Sequence, residues 1–195
     1  MVNLKRTKED ILKSVFNTVH TKGLTATGLK ELLEISGSSS GSFYNYFRSK
    51  KELGHALVDY EWLELKLNVL DFATQQTNNS IDSILLIIEL LEAKQLESAE
   101  CAGCLLGNFI VDLAEQDISF RNHLQDIFNR WQNEIENILK RDLSLLKPDV
   151  KPDLLAEAIV TSLEGAMLMG KLYRNPTKIR RGFDLVRHLV AQAVN

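Results

Sequence analysis

Small hydrogen-bonding side chains are concentrated in residues 39–46. They are Ser39, Ser40, Ser42, Tyr44, Asn45 and Tyr46. The serines and the asparagine have donors and acceptors of the size that reads base edges, and the tyrosine hydroxyls can reach phosphate oxygens. Gly41, among them, removes side-chain bulk and permits close backbone approach. These residue types indicate a surface that contacts nucleic acid. From Ser39 to Phe47 there is no Lys or Arg, so bidentate Arg contacts to guanine are unavailable, which favours phosphate contacts and shape readout.

Two short helices joined by a glycine turn are predicted to position this surface. The first is expected from an N-cap at Thr27 to about Ile35, and the sequence Ser36-Gly37-Ser38 ends it. The second is expected over 39–46, with Phe43 and Phe47 as its buried side. This is a helix-turn-helix arrangement, which lays its second helix in the DNA major groove. Thr27 and Lys50 lie at helix N-termini, where phosphate binds favourably.

Longer helices are predicted on either side of this unit. Thr7 is expected to cap the first helix, which stops at Lys22-Gly23, and Ser49 with Glu52 forms a capping box. The helix that follows is expected to reach about Phe72. Its inward side chains are expected to be Leu53, Leu57, Tyr60, Leu63, Leu67 and Leu70. Further helices are predicted near 81–97, 103–115, 120–143, 153–173 and 177–193, with starts at Ser80, Ser119, Pro152 and Asn175-Pro176.

The fold class that follows is all-α, with about nine helices in 195 residues. Residues 1–55 carry nine Lys/Arg and five Asp/Glu, a net charge of +4, whereas the remainder carries 14 and 21, a net charge of −7. A basic head on an acidic body suits a polyanionic partner. No apolar run approaches a membrane span, and the N-terminal residues do not resemble a secretory signal. The expected location is therefore the cytoplasm.

The run from Gly23 to Leu53 resembles the DNA-binding head of the TetR/AcrR family of bacterial repressors. The portion Gly41-Ser-Phe-Tyr-Asn-Tyr-Phe-Arg-Ser-Lys-Lys-Glu-Leu53 is especially specific. The resemblance implies a DNA-binding domain over residues 5–65, with the helix-turn-helix at about 28–47, and a ligand-binding and dimerisation domain over 66–195. It also implies a homodimer that binds a palindromic operator of double-stranded DNA and is released by a small-molecule effector.

Carried over by position, the resemblance assigns roles within the head. Thr27 and Lys50 look like phosphate contacts, and Tyr44 and Tyr46 look like backbone clamps. Ser39, Ser40, Ser42 and Asn45 look like contacts of the recognition helix, with Gly41 between them. Two positions depart from the family pattern: Leu33 stands where a small residue is usual, and Ser38 stands where an apolar residue is usual.

In the body, the helix expected over 153–173 is apolar around most of its circumference, so it must be covered on more than one side. With the last helix it is expected to form a four-helix dimer interface, with monomer core as the alternative. The predicted interface residues are Leu155, Ile159, Ser162, Ala166, Gly170, Phe183, Val186 and Val190. The effector pocket is expected among Phe72, Phe109, Phe128, Trp131 and Met167, for which plain core is again the alternative.

Cys101 and Cys104 form a C-x-x-C pair without the β–α pattern of a thioredoxin-like fold or a second pair to complete a zinc site. They are either structural thiols or a redox or electrophile sensor, since a helix N-terminus at Cys104 would lower the thiol pKa. The sequence predicts no metal site, cofactor or enzymatic activity, because the motifs for these are missing. A helical interaction protein without DNA contact is the remaining rival, which a weak dependence of binding on salt would favour.

Overall fold

The computed structural model describes residues 6–97 and 101–195, and within them every regular element is helical. The helices are α1 (Lys8–Lys22), α2 (Leu29–Ser36), α3 (Ser40–Tyr46), α4 (Lys50–Leu65), α5 (Phe72–Gln76), α6 (Ser80–Glu97), α7 (Leu105–Leu113), α8 (Ile118–Lys140), α9 (Pro152–Tyr173) and α10 (Pro176–Ala193). A π-helical segment (Lys66–Asp71) joins α4 to α5 without a break in the helical backbone. The described residues therefore fold into nine continuous helical segments, and the all-α prediction is confirmed.

The head is formed by α1, α2 and α3 packed on the start of α4. Thr7 accepts from the Asp10 amide and Asp10 accepts from the Thr7 amide, so the predicted cap of α1 is a complete capping box. Gly37 ends α2 with φ at 60°, a left-handed conformation that glycine adopts at little cost. Phe43 and Phe47 are fully buried and anchor α3 to the head core, as predicted.

Two predicted helix caps and one predicted capping box differ from the structure. The residue before α2 is Gly28 and not Thr27, whose hydroxyl instead donates to the Gly23 carbonyl oxygen at 2.7 Å. Ser49 does cap α4, but the Glu52 carboxylate accepts from the Arg48 amide and not from the amide of Ser49. Asp117 caps α8 in place of Ser119, because its carboxylate accepts from the Ser119 amide.

The long helix from α4 to α5 connects the head to the body. Its early apolar residues face inward as predicted, but Leu63, Leu67 and Phe72 are exposed. Near Leu63 the buried position belongs to Glu61, whose carboxylate pairs with Lys94 of α6 at 3.0 Å. Leu67 lies one turn after Leu63 on the same side of the helix and is exposed with it, whereas Leu65 and Val69 continue the buried row through Glu61.

The body core is formed by α6, α8, α9 and α10. The residues predicted for a dimer interface lie mostly inside this core: Leu155, Ile159, Ala166, Gly170, Phe183, Val186 and Val190 are buried, and Ser162 is half-buried. Leu155, Ile159, Gly170, Phe183 and Val190 therefore pack within their own chain and not in an interface, whereas Ser162, Ala166 and Val186 also border an outer groove between α9 and α10 and stay a prediction for the interface. A helix that is apolar all round does not reveal which face packs on its own chain, and here the face carrying Ile159 does so.

The head has no separate core. Buried side chains of α1 to α4 form one apolar cluster with Leu105, Leu106 and Phe109 of α7 and with the first half of α8. At the closest contact, Gly54 of α4 allows Phe120 of α8 to approach, because a Cβ on Gly54 would lie 2.7 Å from its ring. The head therefore packs directly on α7 and α8 of the body.

Candidate nucleic-acid surface and candidate effector cavity

The outer face of α3 presents the predicted hydrogen-bonding residues. Ser39, Ser40, Gly41, Tyr44 and Asn45 are exposed, whereas Ser42 and Tyr46 are half-buried. The Ser39 hydroxyl accepts from the Ser42 amide as the N-cap of α3. The Tyr44 ring stands edge-on to the buried Phe43 ring at 5.7 Å, which fixes its direction while 47% of the residue remains exposed. These side chains form a polar convex strip of the dimensions that enter a major groove.

Gly41 is not needed for packing inside the chain. Among the described residues, no atom lies within 4 Å of the position that a Cβ on Gly41 would have. The missing side chain therefore leaves open space on the outer face of the helix. This is the arrangement expected where another backbone comes close from outside.

Basic side chains surround α3, although α3 itself has none. The Lys8 ammonium lies 5.5 Å from the centre of the Phe47 ring, and the Arg6 guanidinium lies beside the turn at Gly37. Arg48 is exposed just after α3, and the Lys50 ammonium donates to the Thr25 carbonyl oxygen at 3.2 Å. Sequence reasoning named only Lys50 of these four. The net charge of +4 over residues 1–55 was the sequence signal for Arg6, Lys8 and Arg48.

Thr27 does not belong to the exposed set. Its side chain is fully buried and its hydroxyl is used by the Gly23 carbonyl, so the predicted phosphate contact through this hydroxyl is wrong in this conformation. The α2 N-terminus instead begins at the exposed Gly28, which leaves the first amides of that helix without a side-chain cap. Such amides favour an anion.

The two departures from the family pattern lie on the inner side of the same unit. Leu33 is half-buried against the head core, where it supplies extra volume. The Ser38 hydroxyl is buried and has no hydrogen-bond partner within the described part of the chain. An unsatisfied buried hydroxyl is destabilising, so Ser38 is a local weakness between α2 and α3.

Residues 101–104 form a strained turn before α7. Cys101 has φ at 41° and Gly103 has φ at 78°. The Gly103 carbonyl oxygen accepts from His20 of α1 at 3.0 Å and from Gln95 of α6 at 3.2 Å. Because a carbonyl oxygen only accepts, His20 carries its proton on Nε2. The turn is therefore held by side chains of both the head and the body.

The lowered pKa expected for the Cys104 thiol at a helix N-terminus is not what the structure gives. Cys104 is the N-cap of α7, but burial and the neighbouring carboxyl groups of Glu164 and Glu61 raise its pKa well above the usual value. Burial also raises the pKa of the Cys101 thiol, which donates to the Gln95 side-chain oxygen at 3.7 Å. The desolvation of each thiol and the carboxyl groups near Cys104 outweigh the helix dipole, so neither cysteine is held as a reactive thiolate.

A cavity of about 200 Å³ lies between α7 and α9, and we call it the α7–α9 cavity. Its lining residues are Cys104, Gly107, Asn108, Ile110, Val111, Glu164, Gly165 and Leu168. The five residues predicted for a pocket are not among those that line it. Phe72 is exposed, Phe109, Trp131 and Met167 are buried core, and Phe128 stacks on Trp131 at 5.9 Å. The pocket role of Phe72 therefore stays a prediction, and the core alternative fits the burial of Phe109, Trp131 and Met167.

An apolar surface covers the outer sides of α9 and α10. Its exposed residues are Leu154, Leu168, Met169, Leu172, Tyr173 and Leu185. A groove of about 380 Å³ runs between the two helices beside Ser162, Met169 and Leu185. Exposed apolar side chains on two adjacent helices are typical of a protein–protein interface.

A chain of hydrogen bonds joins α4 to α8 where the head meets the body. His123 donates from Nε2 to Asp59 at 2.8 Å, the His55 and His123 Nδ1 atoms are 2.9 Å apart, and His55 Nε2 lies 3.1 Å from the Ser119 hydroxyl. Ser119 donates onward to Asp117. Burial and the neighbouring His123 and Lys51 lower the pKa of His55. The junction is therefore a polar clamp as well as an apolar contact.

Comparisons with known proteins agree with this geometry. A family model described as "Bacterial regulatory proteins, tetR family" matches residues 11–57, and one described as "Tetracyclin repressor-like, C-terminal domain" matches residues 86–186. A relative from Lactococcus lactis subsp. lactis, an HTH-type transcriptional regulator in the lacX 3′ region, is 27% identical over 95% of this chain and 93% of its own length. The HTH-type transcriptional repressor DhaR of Mycobacterium sp. (strain GP1) is 26% identical over 79% of this chain and 77% of its own.

Solved structures give the same picture. The regulatory protein TetR from Rhodobacter sphaeroides superimposes with a TM-score of 0.85 at 25% identity, covering 95% of this chain and 98% of that one. A TetR-family regulator from Cytophaga hutchinsonii superimposes with a TM-score of 0.82 at 23% identity, covering 95% and 94%. In residues 6–97 and 101–195, no helix is both long enough and apolar enough to cross a membrane.

Proposed function

The chain belongs to the TetR family of transcriptional regulators and carries its helix-turn-helix DNA-binding domain, and from that premise we propose that it represses transcription as a homodimer that binds a palindromic operator and leaves it when a small molecule binds the body. The observation that carries this proposal is the exposed polar face of α3. It is anchored by buried phenylalanines and surrounded by basic side chains.

The proposed division of the chain assigns residues 5–65 to DNA binding and 66–195 to dimerisation and ligand binding. Residue 5 lies outside the described residues. In the head, Ser40, Asn45 and the surface at Gly41 face base edges, and Tyr44 holds the sugar–phosphate backbone. Ser42 and Tyr46 are half-buried, and the Ser39 hydroxyl is used as the cap of α3, so these three act at the margin of the contact. Lys50 and the first amides of α2 are placed for phosphates, and Arg6, Lys8 and Arg48 extend the positive rim.

The proposed dimer uses the exposed apolar side of α9 and α10, and of the predicted residues it retains those along the groove. Ser162, Ala166 and Val186 line the groove, together with the exposed Met169 and Leu185. A two-fold axis there pairs each α9–α10 layer with its copy and buries these side chains in a four-helix arrangement. It also presents two α3 helices, which the operator must match at a spacing of about 34–36 Å or a multiple of it.

Coupling between effector and DNA is proposed to run through α7. Asn108 donates to the His20 carbonyl oxygen at 3.2 Å, and one turn later Asp112 accepts from the Thr25 amide at 3.0 Å. Both bonds reach the α1–α2 region of the head, and Asn108 also lines the α7–α9 cavity together with Gly107, Ile110 and Val111 of the same helix. A ligand that prefers one position of α7 changes the population of DNA-competent heads by its difference in affinity for the two states.

Selection of bound duplexes from a random DNA pool tests this proposal and reports the half-site spacing. The recovered operator is then titrated with wild type, Asn45→Ala and Asn129→Ala, the last being an exposed asparagine of α8 remote from α3. We expect Asn45→Ala to weaken binding by about tenfold or more, as loss of a base contact of about 1–3 kcal/mol requires. Asn129→Ala should bind as wild type.

Salt titration separates this function from that of a helical interaction protein. Phosphate contacts make the logarithm of affinity fall linearly with the logarithm of salt concentration. A selection that enriches no sequence, together with binding that ignores salt, would overturn the proposed function.

A further inference from the structure

The α7–α9 cavity contains a carboxyl group that interacts with the Cys104 thiol but leaves one of its two oxygens unused. Glu164 Oε1 is buried and has no hydrogen-bond partner among the described residues. Its other oxygen lies against α7, where a Cβ on Gly107 would be only 2.2 Å from Oε2, below any normal contact distance. The glycine therefore makes room for the carboxyl group, and the free oxygen remains available at the cavity wall.

The nearby cations do not satisfy this carboxyl group, because each is already paired. Lys94 donates to Glu61 at 3.0 Å, and Lys171 donates to the Asn108 side-chain oxygen at 2.8 Å. Burial raises the pKa of Glu164 to about 7, and Glu61 adds to the effect. The site is thus a mostly apolar space with one buried acceptor, and a donor is the group that it lacks.

We propose that the α7–α9 cavity is the effector site and takes a small molecule with an apolar body and one protonated amino group, which donates to Glu164. Only this group gains a charge-assisted hydrogen bond from the free oxygen, whereas an anion meets repulsion from it. An apolar cavity of about 150 Å³ can hold a benzene ring, so about 200 Å³ accommodates a ring with one small polar substituent. The identification as effector site rests on the proposed ligand-responsive function, but the binding itself does not.

The test uses benzylamine as the probe, with benzyl alcohol and benzoate as its neutral and anionic counterparts. Binding is measured by calorimetry on the full chain without DNA. We expect benzylamine to bind about tenfold more tightly than benzyl alcohol, since a hydrogen bond to a charged group contributes about 1.5–3 kcal/mol. Benzoate should bind most weakly. Binding of benzylamine should tighten between pH 6 and 8 as Glu164 ionises, with Cys104 and Glu61 as the neighbouring titratable groups.

Glu164→Gln keeps the shape of the side chain and removes the charge, so it should erase the preference for the amine. Glu157→Gln, at an exposed glutamate of the same helix, is the matched control and should bind as wild type. Equal binding of amine and alcohol to wild type, no binding at all, or an unchanged preference in Glu164→Gln would each overturn the proposal. If Glu164→Gln fails to fold, the pH dependence of the wild type decides between the outcomes.

A separate gel-shift measurement with the selected operator distinguishes binding of the amine from a role of the amine as effector. Amine binding without any change in operator affinity leaves the site intact but refutes its role as effector site. Failure of the operator selection refutes the proposed function and leaves the calorimetric result unaffected.

Discussion

His20 is expected to make the stability of the protein strongly dependent on pH. It lies at the end of α1, and its Nε2–H donates to the Gly103 carbonyl oxygen. Burial lowers its pKa from 6.5 to about 4, and the positive charges of Lys94 and Lys171 add to the effect, against the opposing influence of the Gly103 hydrogen bond. The native state therefore disfavours the protonated ring.

The sign of this pH dependence follows from the number of protons that the native and unfolded states bind. Between pH 6.5 and 4 the unfolded chain binds a proton at His20 that the native chain does not, so stability falls as pH falls through this range. Above pH 6.5 neither state is protonated and the effect vanishes. The pKa of His20 falls from 6.5 in the unfolded chain to about 4 in the native chain. At about 1.36 kcal/mol for each pKa unit, the free energy of unfolding therefore decreases by about 3 kcal/mol over this range. This is a large share of the 5–15 kcal/mol that is typical of a native domain.

Urea unfolding of wild type, His20→Gln and His188→Gln at several pH values between 7.5 and 4.5 measures this contribution. His188 is exposed and serves as the matched control. Glutamine can still donate to the Gly103 carbonyl but does not titrate. We expect His20→Gln to lose about 2–3 kcal/mol less than wild type across this range, and His188→Gln to follow wild type. Parallel curves for wild type and His20→Gln would refute the reasoning.

Three further substitutions test other parts of the structure. Gly41→Leu should reduce operator affinity by about tenfold or more while leaving the melting temperature unchanged, because the added side chain meets only solvent in the free protein; normal operator binding would contradict close approach there. Ser38→Val should raise the free energy of unfolding by about 1 kcal/mol by removing an unsatisfied buried hydroxyl; a loss of stability would contradict this, and Ser40→Val on the exposed face is the control. Leu185→Glu should yield monomers in sedimentation equilibrium, whereas Leu143→Glu, at an exposed leucine of the 3-10 turn outside α9 and α10, should not; an unaltered oligomer in the first variant would place the interface elsewhere.

Local signals in the sequence determined much of the fold. Asn175 before Pro176 starts α10 with its side chain accepting from the Lys178 amide, as predicted, and the capping box at Thr7 is complete. Such features depend on neighbours within four residues, which the sequence displays directly. The α3 surface was predictable for the same reason, since its exposed and buried positions alternate within one short helix.

Features that depend on distant contacts were not predictable. Nothing near Thr27 indicates that its hydroxyl is buried against Gly23, and nothing near Cys104 indicates that Glu164, 60 residues away, raises the pKa of its thiol. Apolar periodicity likewise gives no warning that Glu61 is buried against Lys94 of α6 while Leu63 is exposed. In each case the structure depends on a contact that the local sequence pattern does not reveal.

The shared apolar cluster of the head with α7 and α8 limits how this chain can be recombined. A fragment that stops after α4 would leave the inner side chains that meet Leu106 and Phe109 facing water. The same mismatch would arise in a hybrid that joins this head to the body of a relative. Engineers who wish to transplant its DNA specificity therefore need to move α7 and the first turns of α8 together with the first four helices.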